Sequence, residues 1–347
     1  MRFSACLALF ALSAGPVMAD PAALALKFTD SFVIPHFRTV AETAKAQANT
    51  WDAYCADRSQ KPDMLREAYN KVGDAWAGIE FMRMGPAAVE LRADRFNYWL
   101  DRHDATGQAL DALVASTDAN ALSPDSIAKG SIVAQGMPMM ERLLYGDDAL
   151  AKLGGPDGAR RCEIGKAVAH NISALADAIV ADWTEAGGAR EAIAANKPWK
   201  TSFADAKQAA SVMQTAIVGG IGTLQEKKIS FMFHDVANAG APRLAEAAHS
   251  ERSLRDVEID FAALHEAADM FAADGTAKQR KTLDHAFAEA KERLEAVDAL
   301  KDNASPELRM KKLHAAIDEL GELNEAAEAI LPAVTGLSLG FNNLDGD

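Results

Sequence analysis

Glu141 is the residue of this chain whose surroundings point most directly to chemistry. It lies in an apolar segment that begins at Gly136, and its neighbours Met137, Met140 and Leu144 predict a partly buried helix. A buried carboxylate must find a cation or hydrogen-bond donors, or become neutral. We therefore expect Glu141 either to bind a metal ion directly or to form an ion pair. The candidate ion-pair partners are Arg83, Arg92 and Arg95.

His36 is the candidate for an imidazole ligand beside Glu141. It directly follows Pro35 inside a long helical pattern, and a proline kink can turn a side chain toward a cavity. An imidazole nitrogen and a carboxylate oxygen are both common ligands of divalent metals. The alternative is a histidine that is hydrogen-bonded within the core or at its edge.

Two polar segments supply further candidates for holding a ligand. Asp101 and His103 could form a ligand pair if the chain is extended there, or Asp101 could begin a helix. Ser250 and Arg252 lie in a second polar segment, where Arg252 could neutralise a carboxylate of a ligand. The alternative for this second segment is an ordinary helix start with a serine cap.

The motifs and the charge of the chain exclude several classes of function. The chain has no G-x-S-x-G motif of serine hydrolases and no H-E-x-x-H motif of zinc proteases. It carries 36 basic and 50 acidic residues, for a formal net charge of −14. So acidic a surface repels nucleic acid and anionic lipid. We therefore expect a metal ion or a small ligand as the partner, and no nucleic acid.

Residues 1–19 have the layout of a secretory signal peptide. A positive charge at Arg2 precedes an apolar run from Phe3 to Ala14, and small or aliphatic residues lead to a cleavage position before Asp20. The run is too short to span a membrane, and no later segment reaches the necessary length. We therefore expect an exported protein without a transmembrane segment, and the periplasm as its location.

The cysteines that remain after removal of this segment are Cys55 and Cys162. Two cysteines in an oxidising compartment favour a disulfide. The alternative is a pair of buried, unpaired thiols, and metal binding by two such distant cysteines is the weakest interpretation.

Helical spacing of apolar residues recurs along the chain, and strand signals are nearly absent. We predict long helices at residues 23–56, 63–82, 106–116, 157–183, 201–228, 253–272, 277–302 and 306–330. A further helix begins at Pro124 and ends near Gly146, whereas residues 85–101 and 187–200 are predicted to be irregular. These elements predict an all-α fold.

The order of these helices predicts two packed domains that resemble four-helix bundles. The boundaries are residues 20–200 for the first domain and 201–347 for the second, which includes a docked C-terminal tail. The two halves share no clear residue pattern, which leaves an internal duplication open.

The segment from Gly136 to Gly146 resembles the signature of the imelysin family. These secreted bacterial proteins are named for a metallopeptidase and are often linked to iron uptake. The family pattern is G-x-H-x-x-E, and this chain keeps Gly136 and Glu141 but has Pro138 at the histidine position. Residues 95–101 and 336–347 also resemble segments of the family. Residues 246–253 resemble a third family segment in part.

This resemblance implies a periplasmic, all-helical protein with a polar site between two bundles. It also implies a binding component in the acquisition of iron or another divalent metal, with envelope iron-uptake proteins as partners. His36 would then replace the imidazole that Pro138 lacks, with Glu141 as the second metal ligand. The other residues expected at the site are Arg95, Asp101, Ser250 and Arg252.

Two alternatives to this function remain open. The first is a metallopeptidase of the imelysin type, which needs a metal-bound water and a general base. The absence of the motif histidine at Pro138 weakens this alternative. The second alternative is an interaction module of the cell envelope that binds no metal.

Overall fold

The fold is all-α, as the helical spacing predicts. A computed structural model describes residues 20–241, 243–300 and 304–340. The signal segment at 1–19 and the closing residues 341–347 of the expected docked tail lie outside the described residues. The helices are α1 (Pro21–Phe28), α2 (Ile34–Ala56), α3 (Asp63–Ala77), α4 (Arg92–Phe96), α5 (Ala105–Ala115), α6 (Pro124–Lys129), α7 (Met137–Tyr145), α8 (Ala149–Gly154), α9 (Gly158–Thr184), α10 (Ala189–Ala194), α11 (Ala206–Thr223), α12 (Ser230–Ala237), α13 (Ser253–Ala272), α14 (Ala277–Asp298) and α15 (Pro306–Thr335).

The first helical segment is continuous from α1 to α2 through a π-helical turn at Thr29–Val33. Pro35 follows this turn and has no N–H to donate, so the regular bonding pattern cannot continue through it. A wider π-type turn absorbs such an interruption without ending the helix. The kink that Pro35 predicts therefore takes the form of a wider turn just before the proline.

A first group of helices is built around α2 and α9, with α3 and α7 packed beside them. Gly165 in α9 permits the close approach of α2, because a Cβ at this position would lie 2.1 Å from the ring of Trp51. The Cys55–Cys162 disulfide joins the same two helices, with 5.7 Å between the Cα atoms. The structure thus contains the disulfide that the sequence predicts.

A second group consists of α11 to α15, with α14 and α15 packed along each other. Helix α11 continues through a π-helical turn at Leu224–Ile229 into α12, so the helical stretch runs past the predicted end at residue 228. The two groups meet where α3 packs on α13 and where α1 packs on α11. Phe28 of α1 contacts Phe271 of α13, with 5.2 Å between the ring centroids. The domain boundary at residue 200 remains a prediction.

The short elements between the long helices differ most from the expected layout. Helix α3 ends at Ala77, five residues before the predicted end at Met82. The stretch from Pro124 to Gly146 is broken into α6, a single 3-10 turn and α7, because Gly130 and Gly136 take extended backbone angles. Among the described helices, none has the length and apolar composition of a membrane span.

Candidate functional site

A cavity of about 320 Å³ lies where the two groups of helices meet. Its walls come from α3, α7, the segment 97–106, the segment 243–249 and the start of α13. We call it the first cavity. Ionisable side chains from both groups line it, and they include Tyr69, Asp101, Glu141, Arg142, His249 and Arg252.

Gly136 allows the start of α7 to lie close to the end of α4. A Cβ at residue 136 would lie 2.2 Å from the carbonyl oxygen of Phe96, so only glycine allows this contact between backbones. Pro138 occupies the first turn of α7, where a missing N–H costs nothing because the first four N–H groups of a helix have no partner within it. Pro138 and Glu141 both line the first cavity, so the side chain at position 138 is aligned with the acid one turn later.

Glu141 is held by the segment that precedes α13. Its Oε1 accepts a hydrogen bond from the backbone nitrogen of Ser250 at 2.8 Å and one from the Ser250 hydroxyl at 2.7 Å. Oε2 has no hydrogen-bond partner or ion pair among the described residues. The residue is only 7% exposed, and it lines the first cavity. One carboxylate oxygen therefore fixes the side chain while the other remains available for a ligand.

None of the arginines expected to pair with Glu141 does so. Arg83 contacts Asp94 and Arg92 contacts Asp182, each at 2.7 Å. Arg95 donates to the side-chain oxygen of Gln135 at 2.9 Å and to the carbonyl oxygen of Ala128 at 2.8 Å. These ion pairs and hydrogen bonds connect α4 to neighbouring segments, including the long helix α9. One oxygen of the Glu141 carboxylate instead accepts hydrogen bonds from the neutral donors of a single serine.

The turn that presents Ser250 has unusual backbone angles. Ala247 and Glu251 both have a positive φ, of 49° and 58°, although neither is glycine. The backbone nitrogen of Arg252 donates to the carbonyl oxygen of Ala247 at 3.1 Å, which closes the turn. Strained residues of this kind persist where the surrounding contacts hold them, and they are concentrated at binding sites.

Arg252 is buried at the boundary between the groups. Its Nη2 donates at 2.6 Å to Asp74 of α3 and at 2.6 Å to Asp256 of α13. Burial raises the pKa of the Asp256 carboxyl to about 7, even though Arg252 opposes the shift. Arg252 therefore neutralises carboxylates of the protein and not, in this structure, those of a ligand.

His249 is the imidazole that the structure brings to the cavity of Glu141. Its Nε2 lies 2.6 Å from Nη1 of Arg142 and so accepts a hydrogen bond from the guanidinium. Burial lowers the pKa of His249, and Arg142 lowers it further, while the Glu141 carboxylate opposes the shift. The ring is therefore neutral at neutral pH. The sequence offers no signal for this role beyond the polar character of the segment.

His36 is not among the residues that line the first cavity. Its Nδ1 lies 2.8 Å from the carbonyl oxygen of Phe32, and its ring packs against that of Phe32 at 4.1 Å. The turn before Pro35 thus holds His36 against its own helix. The expectation that His36 joins Glu141 at a shared metal is not met in this structure.

Asp101 lines the first cavity, but its carboxylate accepts hydrogen bonds from backbone N–H groups. Its two oxygens accept from the nitrogens of Ala105 and Thr106, each at 2.8 Å, at the start of α5. Burial raises the pKa of Asp101, but these backbone donors lower it more, so the net shift is downward. The structure therefore favours the interpretation of Asp101 as the residue that begins a helix.

A second cavity, of about 330 Å³, adjoins the first, and both are lined by Glu80, Asn97, Trp99 and Glu246. Lys228 is buried in its wall and forms ion pairs with Glu80, with Glu246 at 3.1 Å and with Asp260 at 3.3 Å. Burial alone would lower the pKa of Lys228, but the Glu246 and Asp260 carboxylates raise it above its ordinary value. This cluster was not expected from the sequence.

The comparisons with known proteins agree with the helical architecture. Residues 33–327 match the family model described as Imelysin. The chain is similar to the crystal structure of an imelysin-like protein from Psychrobacter arcticum 273-4, with 17% identity over 93% of this chain and 99% of that one, at a TM-score of 0.72. It is also similar to a candidate iron-regulated protein A precursor from Parabacteroides distasonis ATCC 8503, with 15% identity over 93% and 97% of the two chains, at a TM-score of 0.71.

At these identities the two crystal structures support the fold alone, and no curated protein matches the chain. The family model covers most of the sequence, including Gly136, Pro138 and Glu141. The chain therefore belongs to the imelysin family.

Proposed function

We propose that this protein is a binding component in the acquisition of iron or another divalent metal, and that the ligand binds in the first cavity at Glu141. The observation that carries the proposal is the difference between the two oxygens of Glu141. Ser250 donates two hydrogen bonds to Oε1, whereas Oε2 has no partner among the described residues. A carboxylate that is fixed by one oxygen loses little side-chain freedom when the other binds a ligand. Carboxylate oxygens are suitable ligands for divalent metals.

The other groups in the cavity make a binding role more favourable than a hydrolytic one. A metallopeptidase needs a metal with several protein ligands and an open position for water. Pro138 supplies no ligand, and the Nε2 of His249 already accepts from Arg142. Arg142 also places positive charge in the cavity wall, which favours a metal ion that enters together with an anion or as a small chelate.

Export to the periplasm is part of the proposal. The Cys55–Cys162 disulfide supports it, because disulfides persist in oxidising compartments. The charge pattern of residues 1–19 supports it independently.

Metal binding by a Glu141→Gln variant tests the proposal. Glutamine keeps an acceptor oxygen for Ser250, so the variant is expected to fold as the wild type does. The loss of the negative charge should weaken Fe²⁺ or Cu²⁺ binding about tenfold or more, measured by calorimetry of the purified, untagged protein.

Glu67→Gln is the matched control, because Glu67 is exposed on α3 outside the cavity. If Glu141→Gln and Glu67→Gln bind metal equally well, Glu141 is not a ligand. If the wild type binds neither metal, the proposed function is wrong.

A further inference from the structure

Three metal-ligating side chains meet on the outside of the second group of helices. His265 and Asp269 are one turn apart on α13, and Asp284 lies on α14. One ligand atom from each lies within 4.8 Å of the other two, and this is the only such group of three among residues 20–241, 243–300 and 304–340. None of the three lines either cavity.

The imidazole of His265 is held in one orientation. Its ring stacks on that of Phe287, with 4.2 Å between centroids and 17° between planes. Phe287 is buried and lies three residues after Asp284, so both are on the same face of α14. The packing of the two helices therefore fixes the ring of His265 beside the carboxylate of Asp284.

The distance between His265 and Asp269 leaves room for a shared ion. Nε2 of His265 lies 3.7 Å from Oδ2 of Asp269, which is too long for a hydrogen bond. Two ligands that each lie about 2.1 Å from one tetrahedral metal are about 3.4 Å apart. A small side-chain rotation would thus bring this pair to the separation that a shared ion requires.

The two aspartates lie close together without a lysine or arginine beside them. Neither Asp269 nor Asp284 forms an ion pair with a lysine or arginine among the described residues. One oxygen of each carboxylate lies within 4.8 Å of the other, so two like charges are close together. A bound cation would relieve this repulsion between like charges.

Two other histidines of this group show what an ordinary surface pair looks like. His285 and Glu289 are separated by 3.8 Å, and so are His314 and Asp318, again one helical turn apart. Among the described residues, neither pair has a third His, Cys, Asp or Glu ligand atom within 4.8 Å of both its members. The third donor from a neighbouring helix distinguishes the pair formed by His265 and Asp269.

We propose that His265, Asp269 and Asp284 form a binding site for a divalent transition-metal ion, separate from the proposed site at Glu141. One nitrogen and two oxygen donors suit borderline ions such as Zn²⁺ and Co²⁺. The exposure of both aspartates leaves room for water to complete the coordination shell.

Titration of the untagged, full-length protein with Co²⁺ tests this site, since the visible spectrum of bound Co²⁺ reports its nitrogen and oxygen ligands. His265→Ala and Asp284→Asn are each expected to weaken the binding of one Co²⁺ about tenfold or more and to reduce its spectrum. His314→Ala is the matched control and should leave both unchanged. Far-ultraviolet circular dichroism verifies that the variants fold.

Glu141→Gln separates the two sites, because it should not alter the Co²⁺ spectrum that depends on His265. If Glu141→Gln binds Fe²⁺ or Cu²⁺ as tightly as the wild type while the Co²⁺ spectrum that depends on His265 is intact, the proposed function alone is contradicted. The proposed surface site is wrong if the wild type gives no Co²⁺ spectrum, or if His265→Ala and His314→Ala have equal effects.

Discussion

Ser250 donates two hydrogen bonds to the same oxygen of Glu141, one from its backbone nitrogen at 2.8 Å and one from its hydroxyl at 2.7 Å. The two residues are 109 positions apart in the sequence. The contact joins α7 of the first group of helices to the turn that precedes α13 of the second. It therefore links the geometry of the candidate site to the packing of the two groups.

Replacement of Ser250 by alanine removes only the hydroxyl bond of this pair. Hydrogen bonds to charged groups contribute about 1.5–3 kcal/mol, so the free energy of unfolding should fall by about that amount. Urea denaturation followed by circular dichroism measures the change. Ser126→Ala is the control, because the Ser126 side chain is exposed and its hydroxyl bonds to Ser123 alone among the residues that the structure describes. Equal stability of the two variants would show that the Ser250 hydroxyl contributes nothing.

Replacement of Pro138 by histidine restores an imidazole one turn before Glu141. The change is compatible with the fold, because Pro138 lies in the first turn of α7 and lines the first cavity. An added nitrogen ligand should tighten divalent metal binding about tenfold or more, measured by calorimetry. Pro124→His is the control, since Pro124 is exposed at the start of α6. If the two histidine variants gain the same affinity, the first cavity is not a metal site.

Replacement of Gly136 by alanine tests whether the start of α7 depends on close backbone contact. The added Cβ would lie 2.2 Å from the carbonyl oxygen of Phe96, so one backbone segment must move. We expect a loss of about 1–3 kcal/mol in the free energy of unfolding, with weaker ligand binding at Glu141. Gly154→Ala is the control, because nothing lies within 4 Å of the position of its Cβ. That variant should be as stable as the wild type or slightly more stable.

Replacement of Asp260 by asparagine should change how stability depends on pH. Burial raises the pKa of Asp260 from 3.8 to about 6, although Lys228 opposes the shift. The folded protein then holds a proton that the unfolded chain releases, so the stabilising contribution of this group is complete below about pH 4 and is lost as the pH rises through about 6. Asparagine cannot lose a proton. As the pH rises from about 4.5 to about 7.5, the free energy of unfolding of the variant should therefore increase relative to that of the wild type.

Urea denaturation at several pH values measures this difference for Asp260→Asn. Asp57→Asn is the control, because hydrogen bonds from Ser59 lower the pKa of that exposed carboxyl and keep it ionised across the range. Parallel curves for the wild type and Asp260→Asn would contradict the expected protonation of Asp260.

The helices and the disulfide could be predicted because their signals are local or follow from chemistry. The apolar spacing defines α13 at Ser253–Ala272, as expected from the sequence. The pairing of Cys55 with Cys162 follows from the presence of only two cysteines beyond residue 19. The π-helical turns at Thr29–Val33 and Leu224–Ile229 could not be predicted, because they retain helical spacing and change only the bonding pattern.

The partners in the candidate site could not be predicted, because they depend on contacts between distant segments. Lys228 lies in an amphipathic stretch whose lysines are typical of a solvated surface, yet it is only 5% exposed. Glu141 was expected to need a cation, and it is held instead by Ser250 from the opposite group. His36 was expected near Glu141 because of Pro35, but the carbonyl oxygen of Phe32 holds it against its own helix.

Glu246 lines both cavities and is bound on each side, by Asn97 at 2.6 Å and by Lys228 at 3.1 Å. A molecule in one cavity that displaces this carboxylate must also alter the wall of the other. Such a displacement would link the occupancy of the two cavities thermodynamically, and each occupant would change the affinity for the other by the same factor.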